Sequence, residues 1–264
     1  MPLSAFESFT SNVPVLGVSL GFPGTVSRSP TPDIAARQVL PTTPNNLNFG
    51  SPCVIIPDAK GGTLQSVSDF IAAAPANAAL VATQFGGFAC REVQTVLSYP
   101  QGQTPGTPIQ GYYYPGQMAE AIEKGSVTVN LAAGSPLSQG AVYVRVAPTS
   151  SNPALVVGDI EAAADTPVST TGTASSGSTA LTVASGTGIY VGQFVTGAGI
   201  AANTVVTAVL GTSVTLSQNT TAALSATPVS FVGTLVLPNT VFRTGYVDPN
   251  TNAVEITMKI RVAA

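Results

Sequence analysis

The stretch Gly197-Ala-Gly-Ile-Ala-Ala202 spells G-x-G-x-x-A, the glycine pattern of a turn that cradles a dinucleotide pyrophosphate. That chemistry needs a buried strand leading in and a helix leading out, whose first N–H groups meet the phosphates. It also needs an acidic residue about 20 positions on for the ribose hydroxyl. Here the segment leading out is "NTVVTAV", β-branched and strand-like, and no Asp, Glu, Lys, Arg or His occurs between Thr166 and Phe242. The spelling therefore predicts a glycine-rich β-turn, with Gly197 and Gly199 supplying positive φ, and no cofactor.

Other catalytic chemistry lacks its parts. Histidine is absent, which removes the commonest general base and the commonest zinc ligand together. No G-x-S-x-G, P-loop or metal-ligand spacing is present. Glu120 and Glu123 would share one side of a helix, where a solvated face explains them. Arg91-Glu92 and Arg145 lie in strand patterns and read as ion pairs at an interface or barrel rim. Cys53 and Cys90 form no C-x-x-C and read as small buried hydrophobes; a disulfide between them would need the fold to bring them together in an oxidising setting. The sequence thus predicts a protein that is not an enzyme and carries no metal.

The densest aromatic cluster is Tyr112-Tyr113-Tyr114, ahead of Pro115-Gly116. Tyrosines in a loop offer apolar area and a hydroxyl, the usual currency of contact surfaces. Alternating rings packed on a local core, with one exposed, would explain the same residues. The candidate interface comprises Tyr112, Tyr113 and Tyr114 with Arg28, Arg37 and Arg91.

Composition narrows the class. Of 264 residues only 8% are charged, against about 25% in an average domain. The net charge of -3 has the wrong sign for neutralising phosphates, so a nucleic-acid partner is not expected. No apolar run reaches the length of a membrane helix, so no membrane partner is expected. The first residues lack the charged and continuous apolar regions of a secretory signal, which predicts synthesis in the cytosol.

The elements that must position these residues are mostly strands. Residues 1–50 are punctuated by proline, as in "SRSPTPDIAARQVLPTTPNN", and read as an extended arm. "SPCVIIP", "FGGFACREVQTVLSY", "SVTVNLA", "GAVYVRVA" and "LVVGDIEAAA" read as strands. A short helix is predicted from Ser66 to Ala74, ended by Pro75. "MAEAIEKG" fits either a helix or a strand. "VFRTGYV" and "AVEITMKIRVA" pair across "DPNTN". Between them lies the charge-free stretch 166–233, with its own strict alternation and turns, read as an inserted small β module projecting into solvent. The parent core would comprise residues 51–165 and 234–264.

Outside the insert, an ordered set of motifs is spread over about three-quarters of the chain: "GFPGTVSRS" (21–29), "NLNFGSPCV" (46–54), "FGGFACREVQTV" (85–96), "YYPGQMAEAIEKGSVTVNL" (113–131), "GSPLSQGAVYVRVA" (134–147) and "VFRTGYVDPNTNAVEITM" (241–258). In this order they resemble the capsid cement (decoration) proteins of tailed bacteriophages. The resemblance implies an all-β fold with a jelly-roll-like β-barrel core, to which this chain adds the extended N-terminal arm and the inserted β domain. It implies a structural protein on the outer capsid surface of the virion, made in the bacterial host. Its partners would be the major capsid protein and itself, as a homodimer at local twofold axes or a trimer. It would cement neighbouring capsomers against DNA pressure. A tail, baseplate or fibre-type component, structural or receptor-binding, is the alternative that the insert alone would fit.

Overall fold

The computed structural model describes residues 23–27, 32–59, 61–91 and 111–259. In chain order the first strands are β1 (Val26–Ser27), β2 (Asp33–Gln38), β3 (Leu47–Asn48), β4 (Pro52–Ile56) and β5 (Thr63–Ser66). Helix α1 (Val67–Ala73), a 3-10 turn (Pro75–Leu80) and α2 (Val81–Gln84) lead into β6 (Phe85–Ala89). Then come β7 (Tyr112–Tyr113), β8 (Met118–Ala133), β9 (Ala141–Arg145) and β10 (Ile160–Glu161). The charge-free stretch supplies β11 (Val168–Ala174), β12 (Ala180–Val183), β13 (Phe194–Gly197), β14 (Val206–Leu210), β15 (Ser213–Leu216) and β16 (Leu224–Val232). The chain closes on β17 (Thr234–Phe242) and β18 (Ala253–Met258).

The fold is an all-β barrel organised on β8, whose 16 residues serve two sheets in turn. Its second half pairs with β18 from Gly125 to Asn130, and β18, β17, β9 and β10 follow in order. Strand β10 then pairs back onto Leu131 and Ala133 of β8, in parallel, which closes the ring. Apolar residues alternate inward along these strands. Val127, Val129, Val142, Val144, Val254 and Ile256 are all fully buried in one cluster. Each such side chain contributes roughly 1.5–3 kcal/mol by leaving water.

The first half of β8 pairs with β2 on one side and β6 on the other, and β4 and β5 continue from β6. A parallel bridge between Val39 and Leu64 draws the two ends of this curved sheet together. Its core holds Val39, Leu47, Cys53, Leu64, Ala119 and Ala121. Strand β6 can approach β8 only because residue 87 is glycine: its φ is +109°, and a Cβ there would collide with the Ile122 carbonyl. Helix α1 begins where Ser66 caps it, its Oγ accepting from the Asp69 N–H at 3.1 Å. Pro75 ends the helix by opening the 3-10 turn.

One open reading is settled and two expectations change. "MAEAIEKG" is strand, because it pairs with β2 from Met118 to Lys124 on one edge and with β6 at Ala121 and Ile122 on the other. Glu120 and Glu123 therefore do not share a helical face. "LVVGDIEAAA" is mostly turn: Asp159 accepts from the Val156 N–H at 2.8 Å, and only Ile160 and Glu161 pair as strand. Residues 32–50, expected in an arm, are built into the barrel, with β2 paired over six positions and Val39 and Leu47 buried. Alternating side chains on β2 and an inward Leu47 override the proline punctuation. Residues 1–22 of that expectation lie outside the described residues, as do 92–96 of the expected "REVQTV" strand and Glu92.

Strands β11–β16 form a separate six-stranded sheet in the order β13-β16-β11-β12-β15-β14. A bridge between Phe194 and Val205 joins its two ends. Its core, including Leu181, Val195, Val214, Val229 and Phe231, is distinct from those of the barrel. The "GAGIAA" stretch is a turn here. Gly199 has φ +82°, Gly197 ends β13 in extended form, and strand β14 follows instead of a helix. This sheet does not stand clear of the barrel. Val205 is fully buried in the barrel's own cluster, and Phe194 packs against it.

Candidate interaction surface

Strand β7 is two residues long and pairs Tyr113 with Leu47 and Tyr112 with Asn48. The two-residue period sends Tyr113 inward and its neighbours outward. Tyr113 is 7% exposed. Its ring meets Phe49 edge-on at 5.0 Å, and its hydroxyl donates to the Cys90 carbonyl at 2.9 Å. Tyr112 and Tyr114 are 41% and 52% exposed, with rings perpendicular at 5.1 Å and hydroxyls 3.2 Å apart. The hydrogen bond to Tyr114 pushes the Tyr112 hydroxyl above its ordinary pKa.

The turn that follows fixes this ridge from below. The Tyr114 N–H donates to Gln117 Oε1 at 2.8 Å, and the Gly116 N–H to the Val39 carbonyl at 3.0 Å. Gln38 Nε2 donates to the Gly116 carbonyl at 2.9 Å. Met118, 61% exposed, opens β8 just beyond the turn. Two rings held against each other lose little freedom when a partner covers them. The packed Tyr113 makes the backbone beneath them rigid. The middle ring belongs to the core and the outer two are exposed.

The candidate arginines fall elsewhere. Arg37 lies on β2 opposite Ala119 and is tied down, donating to the Gly61 carbonyl at 2.6 Å and to Glu123 Oε1 at 3.1 Å. It fastens β2 to its surroundings. Arg91 is half-buried after β6, and its N–H donates to the Gly24 carbonyl at 2.8 Å. Arg28 lies outside the described residues.

Arg145 was expected at a rim or interface and is instead 1% exposed. Its guanidinium forks onto both Glu161 oxygens at 2.6 and 3.0 Å and reaches Asp165 Oδ2 at 3.1 Å. Burial nevertheless holds the Glu161 carboxyl above its ordinary value, and does the same to Asp159. A second buried acid, Asp69, accepts from Thr43 Oγ1 and Asn45 Nδ2, both at 2.6 Å, and ties the 43–45 turn to α1. Sequence reasoning passed over Asp69, although Ser66 three residues before it is a legible helix cap.

Cys53 and Cys90 are buried and unpaired. Burial pushes both thiols up, Cys90 to about 12, so neither offers a thiolate at neutral pH. Among the described residues no three His, Cys, Asp or Glu side chains are placed to hold a metal ion. A cavity of about 390 Å³ opens between Asn48–Pro52, Asn130, Gly158–Ile160 and Asn250–Thr251, next to Pro23 and Gly111. One of about 360 Å³ lies between α1 and the 40–44 turn.

The sequence model of the XM1 gp53 minor capsid protein family matches residues 11–190. The chain belongs to that family. No curated protein matches it. The matched span runs through β1 to β12 and stops at Tyr190, inside the six-stranded sheet. It contains the tyrosine ridge, all of β8 and the Arg145 fork. As a member of a minor capsid protein family the chain is a structural component of a phage particle and associates with capsid components. No described helix is long and apolar enough to cross a membrane.

Proposed function

We propose that this minor capsid protein is a cement component. It binds the outer surface of the capsid and holds neighbouring capsomers together against the pressure of packaged DNA, by contact alone and without catalysis. The tyrosine ridge carries this reading. Tyr112 and Tyr114 are two exposed aromatic rings, mutually braced and mounted on a buried third. Aromatic anchors on a rigid base are the residues that dominate protein interfaces. Gln38 and Gln117 beneath the ridge are already engaged in the turn. Many copies on one particle would multiply a modest contact into firm attachment.

The test is a double substitution, Tyr112→Ala with Tyr114→Ala, followed by co-sedimentation with capsids that lack the protein. Anchor tyrosines typically contribute about 2 kcal/mol or more each, so loss of both should lower affinity by roughly 1,000-fold. The melting temperature should hold, because neither ring is part of a core cluster. Unchanged capsid binding by the folded double variant would refute the ridge as the contact.

A further inference from the structure

The chain enters the six-stranded sheet after Asp165 and leaves it at Gly233, and both ends of the passage meet at Arg145. Its Nη1 donates to Asp165 Oδ2 at 3.1 Å and to the Ala147 carbonyl at 3.2 Å. The Gly233 carbonyl accepts from the Val146 and Ala147 N–H groups at 2.8 and 3.2 Å. The Asp165 N–H donates to Thr234 Oγ1 at 2.9 Å, which stitches the entry strand to the exit strand. A Cβ at 233 would crowd the junction, sitting 3.0 Å from Asp165 Oδ2, 3.3 Å from the Ala147 carbonyl and 3.4 Å from Arg145 Nη1, so these neighbours would have to shift by a few tenths of an ångström. Glu161, on the barrel's closing strand β10, holds the other side of the guanidinium through its two oxygens.

We infer that the Arg145 fork is a latch that fixes the orientation of the inserted module on the barrel. The guanidinium is the common partner of the barrel's closing strand and of the module's entry, so the two cannot turn relative to each other while it is in place. A planar fork gives direction as well as attraction. Two neighbouring contacts run along the same seam. Gly192 lies so close to the Val146 carbonyl that a Cβ would be 2.6 Å from it, and Val205 of the module is buried in the barrel's cluster. The apolar contact holds the module against the barrel, and the fork sets its angle. The module therefore presents its outer face at a fixed place on the particle instead of swinging on a tether.

The test uses the full chain with spin labels at two exposed positions, Leu137→Cys on the barrel and Leu210→Cys on the module. Cys53 and Cys90 stay in place, since burial keeps their thiols protonated and covered. The label-to-label distance distribution of the otherwise unaltered protein should be single and narrow. Arg145→Lys keeps the charge but loses the fork, and Gly233→Ala wedges the junction apart; each should broaden or shift the distribution while circular dichroism stays native. Arg145→Met should do the same more strongly where it folds, and the two milder variants decide the matter where it does not. A broad distribution before any substitution at the junction, or an unchanged narrow one in both milder variants, would overturn the latch.

Discussion

The residues that matter most are those whose polar groups are buried and accounted for. Arg145, Glu161 and Asp165 place one cation among carboxylates inside a seam, where desolvation opposes ionisation of Glu161. Glu161 is raised above its ordinary value of 4.5, so the folded protein holds its proton more tightly than the unfolded chain does. The stability this group contributes is fully present below that ordinary value and is lost as pH rises through the raised one. Asp159, raised by burial too, acts in the same direction. Glu161→Gln removes the titration. Scanning calorimetry of the two proteins should show the wild-type melting temperature gaining on the variant's as pH falls from 7 towards 4. A wild-type advantage that grows with rising pH would mean that the Arg145 pairing outweighs desolvation. None of this partnership was visible in the sequence beyond the expectation that Arg145 is paired. Asp165 and Glu161 are 20 and 16 residues away along the chain, and only the closing of the ring brings them together.

At the scale of elements, strict two-residue alternation was the legible signal. "SVTVNLA", "GAVYVRVA" and, in 166–233, β12 and β15 appear as strands because one face of each is apolar throughout. Local chemistry also showed the short helix with its Ser66 cap and Pro75 stop, and the pairing of β17 with β18. Partnership was not legible. The ambiguous "MAEAIEKG" is settled by strands β2 and β6 lying on either side, and the proline-punctuated region 32–50 is held by contacts far along the chain. The outward pair of the three tyrosines follows from alternation once β7 is known to be a strand, but the sequence does not say that it is one. The module was readable as a composition shift, its attachment was not. Excising residues 166–233 and joining the ends with a short Gly-Ser linker removes Val205 and Phe194 from the barrel's cluster. Loss of large buried side chains typically costs about 2–5 kcal/mol. The shortened chain should therefore melt well below the intact protein in a thermal scan. An unchanged melting temperature would show the module to be an appendage.

For the whole molecule, two features support a role as a clasp. The barrel is closed at β10–β8 and drawn together at Val39–Leu64, which leaves a rigid body with few open sheet edges. The low charge of the chain, -3 over 264 residues, suits a protein whose surface is partly covered in the finished particle. A clasp of this kind needs its contact ridge on one face and its module at a fixed angle to it, the two roles proposed here for Tyr112 and Tyr114 and for the Arg145 seam. The most direct measurement is an image reconstruction of the assembled particle at a resolution that places strands. The account predicts density for this protein on the outer capsid surface, spanning neighbouring capsomers, with Tyr112 and Tyr114 against a capsid subunit. Density confined to the capsid interior or to the tail, or an outer position with the ridge facing solvent, would contradict it.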